Sequence, residues 1–260
     1  MPPDTSGAVP CPTCPACGAA ERAHYTRHGE WELFSCMRCG LIYLDPMPGP
    51  QTLAALYHNA YDNAQSGYFA KREAKLRRSL IRLRIIKRKT GGKTGNFLDI
   101  GCNGGFMAEA ARISGFTAWG VEPDGVSLAY ARENFPLNHY FHGRLEDFTP
   151  ENCTGALLAF DVAYCSEVIE HVPQPGVFLR HVFHLLAPGG LLYLTAPDIS
   201  HWRRPHALAR WDAFCPPAHC LYFSAKSLLA LVRQCGFELC ERRPAWKPGV
   251  KLILRRPASS

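Results

Sequence analysis

The run Phe97-Leu-Asp-Ile-Gly-Cys-Asn-Gly-Gly105 constrains this chain more than any other stretch. A short apolar segment ends in an acidic residue, glycines follow at once, and Phe106-Met-Ala-Glu-Ala-Ala111 then reads as a helix. Strand, tight turn and helix in that order mark the place where an open α/β sheet turns backbone N–H groups toward a ligand. Asp99 ends the strand as an acceptor for a cationic group. Gly101 and Gly105 let the backbone approach a ligand that a Cβ would exclude. A glycine-rich turn by itself serves NAD, FAD and nucleotide folds alike, so its surroundings must decide.

A second apolar run, Phe116-Thr-Ala-Trp-Gly-Val-Glu122, ends in an acidic residue about 20 positions downstream, suited to holding ribose hydroxyls. A third strand, Phe160-Asp-Val-Ala-Tyr-Cys-Ser166, leads into Glu167-Val-Ile-Glu-His171. A helix, the turn Ala187-Pro-Gly-Gly190 and the strand Leu191-Leu-Tyr-Leu-Thr-Ala-Pro197 follow. With LDIGCNGG, GVEPDG, FDVAYCSEVIEHV, LLAPGGLLYLTAPD and FSAKSLLALVRQCGF in this order, the chain from Phe97 onward resembles the class I S-adenosylmethionine-dependent methyltransferases. The resemblance implies a Rossmann-like α/β fold, a mostly parallel seven-stranded sheet with an antiparallel last strand. It implies S-adenosylmethionine as cofactor, held around Asp99, Gly101, Cys102, Asn103, Gly105, Glu122, Pro123 and Cys165. Glu146 or Asp147, in the loop after Leu145, would accept from the adenine amine. The family's first motif usually reads G-x-G-x-G, and here Asn103 stands at the middle glycine. Asn is the next-best residue for a left-handed backbone, so the turn is expected to survive, with the side chain near the methionine end of the cofactor.

The length of 260 residues suits one α/β domain of common size plus a small appendage. No run approaches the roughly 18 consecutive apolar residues of a membrane helix, and the first residues lack a signal-peptide pattern, so a cytoplasmic location is expected. Twelve cysteines in such a chain read as metal ligands or buried thiols rather than disulfides. Cys14-Pro-Ala-Cys17-Gly18 and Cys36-Met-Arg-Cys39-Gly40 have the spacing of a zinc ribbon, two knuckles closing a tetrahedron around one Zn²⁺. Gly18 favours the Cys14/Cys17 pair over Cys11/Cys14. Four thiolates leave no open position, so this zinc is expected to be structural. Between the knuckles, residues 25–34 read as a hairpin turning at Gly29.

The pattern divides the chain into a ribbon (1–45), a helical segment with a basic face (46–95) and the cofactor-binding domain (96–260). After the turn-rich Asp45-Pro-Met-Pro-Gly-Pro50, residues 53–89 read as helical, with Tyr57, Tyr61, Tyr68 and Phe69 ahead of apolar positions at Leu76, Leu80, Leu83 and Ile86. The net charge of +7 is concentrated here, since eleven Lys or Arg and one acidic residue lie between Lys71 and Lys93. This is a solvated helix face or a surface for a polyanion.

Within the last segment, residues 198–223 form an insert bearing Trp202, Arg203, Arg204, His206, Arg210, Trp211, His219 and Tyr222. Loops at the carboxyl ends of parallel strands bind ligands in such sheets, so the insert is expected to be a substrate lid. Methyl transfer from a sulfonium needs an aligned acceptor, exclusion of water and, for a hydroxyl, a base. His171, just past the third strand, is the first candidate, and His219 the second. The string Glu167-Val-Ile-Glu170-His171 resembles the ubiquinone-pathway O-methyltransferases, which also allows a divalent cation at Glu167, Glu170 and His171. The expected activity is O-methylation of a small molecule such as a sugar or phenol. The alternative is an RNA-modifying or RNA-binding protein using the ribbon and the basic helix. The motifs of many nucleic-acid methyltransferases are missing, with Tyr164-Cys-Ser-Glu-Val in the position of their catalytic loop, which favours the small molecule.

Overall fold

The computed structural model describes residues 7–53, 55, 69, 71–149 and 159–258. Tyr57, Tyr61 and Tyr68, and the loop from 150 to 158, lie outside them. No helix among the described residues is long and apolar enough to cross a membrane. The described elements are β1 (Arg22–His28), β2 (Trp31–Cys36), β3 (Ile42–Leu44), α1 (Arg72–Lys89), β4 (Asn96–Ile100), α2 (Phe106–Ile113), β5 (Thr117–Glu122) and α3 (Gly125–Asn134). They continue with β6 (His139–His142), β7 (Phe160–Ser166), α4 (Pro175–Leu185), β8 (Leu186–Ala196), β9 (Leu221–Tyr222), α5 (Ala225–Gln234), β10 (Glu238–Arg243) and β11 (Val250–Arg255).

Seven strands form one sheet in the order β10-β11-β8-β7-β4-β5-β6. β4 pairs in parallel with β5 and with β7, and β5 in parallel with β6. Strands in the middle of such a sheet are covered on both faces and so read as unbroken apolar runs. Phe97, Leu98 and Ile100 in β4, and Val162, Ala163 and Cys165 in β7, are buried accordingly. The last strand is antiparallel: Gly189 and Gly190, early in β8, exchange backbone hydrogen bonds with Arg256, just past β11, at 2.9 Å each. That exchange also explains one departure from the sequence pattern. Ala187-Pro-Gly-Gly190 reads as a turn, yet β8 begins at Leu186 because Arg256 carries the ladder back through the glycines.

Contacts divide the chain into two compact units. One comprises Tyr57–Ser166, His181–Tyr193 and Leu254–Ser260. Here α1 packs on α2 through one side, burying Leu83 and Ile86, each worth about 2 kcal/mol. Arg82 donates to the Tyr164 hydroxyl at 3.1 Å and Lys87 to the Ser114 carbonyl at 2.7 Å. Arg77, Arg78, Arg84 and Arg88 are exposed. The helix α3 starts at Asp124, whose carboxylate accepts from the Ser127 N–H at 2.7 Å, an N-cap worth about 1 kcal/mol.

The other unit comprises Met1–Leu56, Glu167–Arg180 and Leu194–Ile253. Its four-stranded sheet runs β1-β2-β3-β9. The first two strands form the expected hairpin, with Gly29 at φ +59° in the turn. The fourth strand comes from the insert: Ile42 stands opposite Tyr222, and Tyr43 opposite Leu221. Within the insert Trp211 is buried and Trp202 is 79% exposed. A reciprocal capping box between Ser224 and Ser227 opens α5.

Candidate functional site

The glycine turn after β4 is built by two carboxylates at adjacent strand ends. Asp99 is buried, and its Oδ2 accepts from the Ala108 N–H at 3.1 Å, tying β4 to the first turn of α2. Glu122 ends β5, and its two oxygens accept from the Asn103 N–H at 2.7 Å and the Asp124 N–H at 3.0 Å. It therefore holds the turn itself in shape. Burial pushes the Asp99 carboxyl up to about 8, against the Ala108 hydrogen bond and aided by the Glu122 charge. Burial likewise pushes Glu122 up to about 7, against its two backbone donors and helped by Asp124. A cation or a set of hydroxyls brought to this turn would find two acceptors short of compensation.

Asn103 adopts the left-handed conformation, φ +49°. Its Oδ1 accepts from the Gly104 N–H at 2.7 Å, while its buried Nδ2 has no partner among the described residues. A buried donor left in this way suits a ligand acceptor such as a carboxylate. Gly105 at φ +75° starts α2, and a Cβ there would lie 2.6 Å from the Tyr140 hydroxyl. Gly101 and Cys102 both donate to the Val121 carbonyl, at 2.9 and 3.1 Å. Cys102 is a buried thiol, pushed well up by burial and seated against Gly120, where a Cβ would approach its Sγ to 2.6 Å. The Pro123 carbonyl accepts from His142 Nε2 at 3.2 Å. Glu146 and Asp147 lie exposed on a one-turn 3-10 helix, Glu146 pairing with Arg144 at 3.3 Å, and Cys165 is buried in β7. The role of Asp124, both helix cap and donor to Glu122, was not evident from the sequence, although its place two residues past the strand end was the available sign.

In the second unit Cys14, Cys17, Cys36 and Cys39 converge. The two knuckles repeat one geometry. Gly18 donates to the Cys14 carbonyl at 2.8 Å and Gly40 to the Cys36 carbonyl at 2.9 Å, both glycines left-handed. Sγ–Sγ distances are 3.5 Å for Cys14–Cys39 and 3.6 Å for Cys17–Cys36. Four thiolates tetrahedral about zinc would stand about 3.8 Å apart, so the donor set fits that ion. The Cys14 thiol donates toward Cys39, which pulls Cys39 down to about 5 and pushes Cys14 up. Cys11 stays outside the cluster, its N–H donating to Asp45 at 2.7 Å.

A second convergence joins residues far apart in sequence. Glu170 and His171 share a one-turn 3-10 helix, and His219 comes from the insert. One ligating atom from each lies within 4.8 Å of the others. The imidazoles of His171 and His219 meet edge to face, with ring centres 4.5 Å apart. His171 Nδ1 donates to the Ala218 carbonyl at 2.7 Å and His219 Nδ1 to the Ala213 carbonyl at 2.8 Å. Burial lowers the pKa of His171 and takes His219 down to about 3, the latter aided by repulsion from His171, so both rings are neutral near pH 7. Glu170 is 1% exposed, and neither carboxylate oxygen has a hydrogen-bond partner among the described residues. Burial raises its pKa strongly. Glu167, expected in this cluster from its string, instead accepts from the Thr195 hydroxyl at 2.9 Å and adopts φ +57°.

A family described as "Methyltransferase domain" matches residues 68–242. The ubiquinone biosynthesis O-methyltransferase of Glaesserella parasuis serovar 5 (strain SH0165) is 35% identical over 120 residues, 44% of this chain and 51% of that protein. The protein of the same name from Histophilus somni (strain 2336) is 27% identical over 175 residues, 60% of this chain and 74% of that one. The chain thus spans about half the length of several curated relatives it matches. Among solved structures, magnesium protoporphyrin IX methyltransferase from Synechocystis PCC 6803 aligns with a TM-score of 0.60 at 11% identity, covering 79% of this chain and 99% of that one. A Burkholderia thailandensis 1,6-didemethyltoxoflavin-N1-methyltransferase aligns at 0.58 and 15%, covering 90% and 99%. At these identities the structural likenesses speak for the fold.

Proposed function

The chain belongs to the methyltransferase-domain family, with a class I fold, and from that premise we propose that it is an S-adenosylmethionine-dependent methyltransferase acting on a hydroxyl of a small molecule. The observation that carries the reading is the turn held by Glu122, with the Nδ2 of Asn103 buried and without a partner. Asn103 would donate to the methionine carboxylate, Glu122 would accept from the ribose hydroxyls, and Asp99 would offset the positive charge at the methionine end. When bound, the cofactor supplies an electrophilic methyl group on sulfur. Cys102, Gly105 and Pro123 would shape the walls, and Glu146 or Asp147 would meet the adenine amine.

The O-methylation reading is supported by the names of the curated relatives and by two neutral imidazoles able to take a proton from a hydroxyl. His171 is the first candidate base and His219 the second. The insert 198–223 would contribute acceptor contacts. The four cysteines would hold a structural zinc, since they leave no position open for substrate. A second reading rests on the exposed guanidiniums of α1, which would suit RNA.

Calorimetry with S-adenosylmethionine and its demethylated product tests the cofactor assignment, with 1:1 binding expected and no binding of NADH. Binding of NADH instead would overturn it. Mass spectrometry with labelled cofactor and a panel of acceptors then reads the substrate class. Steep salt dependence of RNA binding would favour the second reading.

A further inference from the structure

Trp202 and Trp246 are 79% and 74% exposed, the two most exposed large apolar side chains among the described residues. Tryptophan gives up most of its surface in an average fold, and indoles left together in water mark a contact for something else. These two belong to different segments, Trp202 to the insert and Trp246 to the loop between β10 and β11. One side chain bridges them. The guanidinium carbon of Arg203 stands over the Trp246 ring at 4.0 Å from its centre and over the Trp202 ring at 5.2 Å. The His201 ring is stacked on Trp202, with centres 5.9 Å apart and 20° between the planes.

The backbone beneath this stack is held by its own bonds. Asp198 Oδ1 accepts from the N–H and the hydroxyl of Ser200, at 2.9 and 2.7 Å. Arg204 is used internally, donating from Nε to the Ile199 carbonyl and from Nη1 to the Pro205 carbonyl, both at 2.7 Å. The Arg203 N–H donates to His201 Nδ1 at 3.1 Å, which puts the ring proton on Nε2, and Nε2 donates to the Ala245 carbonyl at 3.1 Å. The insert is thereby tied to the residue beside Trp246 before any ligand arrives, which removes part of the entropic cost of binding.

Arg203 differs from Arg204 in what it leaves open. Stacking occupies the faces of its guanidinium, while its N–H edges meet no acceptor among the described residues. Those in-plane donors form a fork that fits two oxygens of a phosphate or a carboxylate. The charge around it favours the phosphate. Lys247, next to Trp246, is exposed, and the acids nearest in sequence are engaged, Asp198 by Ser200 and Glu241 by Arg243 at 2.8 Å. A doubly charged group gains more from such a surplus than a singly charged one. We propose that Trp202, Arg203 and Trp246 form a binding site for a small molecule that carries a phosphate group on an aromatic ring. The phosphate takes the edge of Arg203, and the ring lies on exposed indole surface, where aromatic pairs gain beyond the area they bury. None of the three residues is assigned to the cofactor or to the base, so the site stands apart from the methyltransferase reading.

Phenyl phosphate is the probe, titrated into the isotope-labelled full chain while the indole N–H resonances are followed. Spectra of Trp202→Phe and Trp246→Phe assign the two signals. Both should shift and saturate with phenyl phosphate, at lower concentration than with phenol, inorganic phosphate or benzoate. Arg203→Gln should weaken phenyl phosphate roughly fivefold, the upper end for a solvent-exposed ion pair, and Arg203→Lys should restore only part of it because the fork is lost. The variant's unshifted remaining resonances verify its fold. Equal binding of phenol removes the anion from the proposal, equal binding of inorganic phosphate removes the ring, and equal binding of benzoate removes the phosphate; each overturns it. Unchanged affinity in Arg203→Gln overturns it as well. Saturating S-adenosylhomocysteine should leave the two shifts in place, and their loss would overturn the separate site. Cofactor calorimetry on the same protein reports independently on the methyltransferase reading.

Discussion

The Leu44 backbone N–H donates to the Cys220 carbonyl at 3.1 Å, joining the end of the ribbon to the residue after His219. Through the pairing of Ile42 with Tyr222, the insert completes the ribbon's own sheet. The cysteine site and the histidine cluster are therefore mechanically connected, one strand apart.

That connection makes the effect of losing the proposed ribbon zinc specific. A structural zinc commonly contributes about 10–16 kcal/mol of apparent binding energy to folding, and Cys36→Ser would remove one of its four proposed ligands. Residues 22–44 should lose hydrogen-exchange protection, and so should residues 219–223, because β9 loses β3, its pairing partner in that sheet among the described residues. Protection retained at 219–223 would show that the insert holds its strand without the ribbon.

Asn103→Gly tests the proposed Asn103 contact with the cofactor by itself. The left-handed φ of +49° suits glycine, so the turn should persist while the buried Nδ2 donor disappears. A hydrogen bond to a charged acceptor is worth about 1.5–3 kcal/mol, so affinity for S-adenosylmethionine should fall roughly 10- to 150-fold. Glu122→Ala should weaken binding at least as much, since it removes the proposed ribose acceptor and also frees the Asn103 and Asp124 N–H groups. Calorimetry reads both, and unchanged affinity in Asn103→Gly would detach that side chain from the cofactor.

The raised carboxyls predict a pH dependence of stability in the ligand-free chain. Between its ordinary 3.8 and about 8, Asp99 is protonated in the folded state and ionised in the unfolded one. Glu122 behaves likewise between 4.5 and about 7. The folded state then binds more protons, so stability falls as pH rises through these windows. His219 has the opposite sign: between about 3 and 6.5 the unfolded state binds the extra proton, and stability rises with pH. Cys39, pulled down to about 5 by Cys14, has the sign of His219 and opposes the carboxyls up to its ordinary 9. The Asp99 contribution is therefore read as a difference: between pH 6.5 and 8 the thermal midpoint of the wild type should fall more, or rise less, than that of Asp99→Asn. An unchanged slope in Asp99→Asn would contradict the assignment.

If the acceptor is a hydroxyl and His171 is its base, His171→Ala should cut turnover by roughly 10²–10⁴-fold with little change in cofactor affinity. The lowered pKa of His171 places the acid limb of the wild-type pH–rate profile below 6.5. His219→Ala should raise the acceptor KM if that residue only binds substrate. Full turnover in the His171 variant, with its profile unmoved, would pass the role of base to His219.

Much of this protein can be read locally. The apolar run ending at Asp99, the glycines after it and the helix from Phe106 lie within a few residues of one another, so spacing alone announces strand, turn and helix. The two CxxCG pairs announce their tetrahedron for the same reason, since each knuckle closes within five residues and needs only its glycine. Asn103 at a left-handed position follows from the conformational preference of one residue type. What only the tertiary structure decided depends on residues that no local period connects. The insert's Tyr222 pairs with Ile42 because both strands are apolar and one sheet edge was open, a fact absent from either segment alone. His219 meets Glu170 and His171 because the chain folds back through that pairing. Burial then sets the chemistry: it drives Asp99 and Glu122 up and His219 down, and a carboxylate's distance from water is a property of everything packed around it.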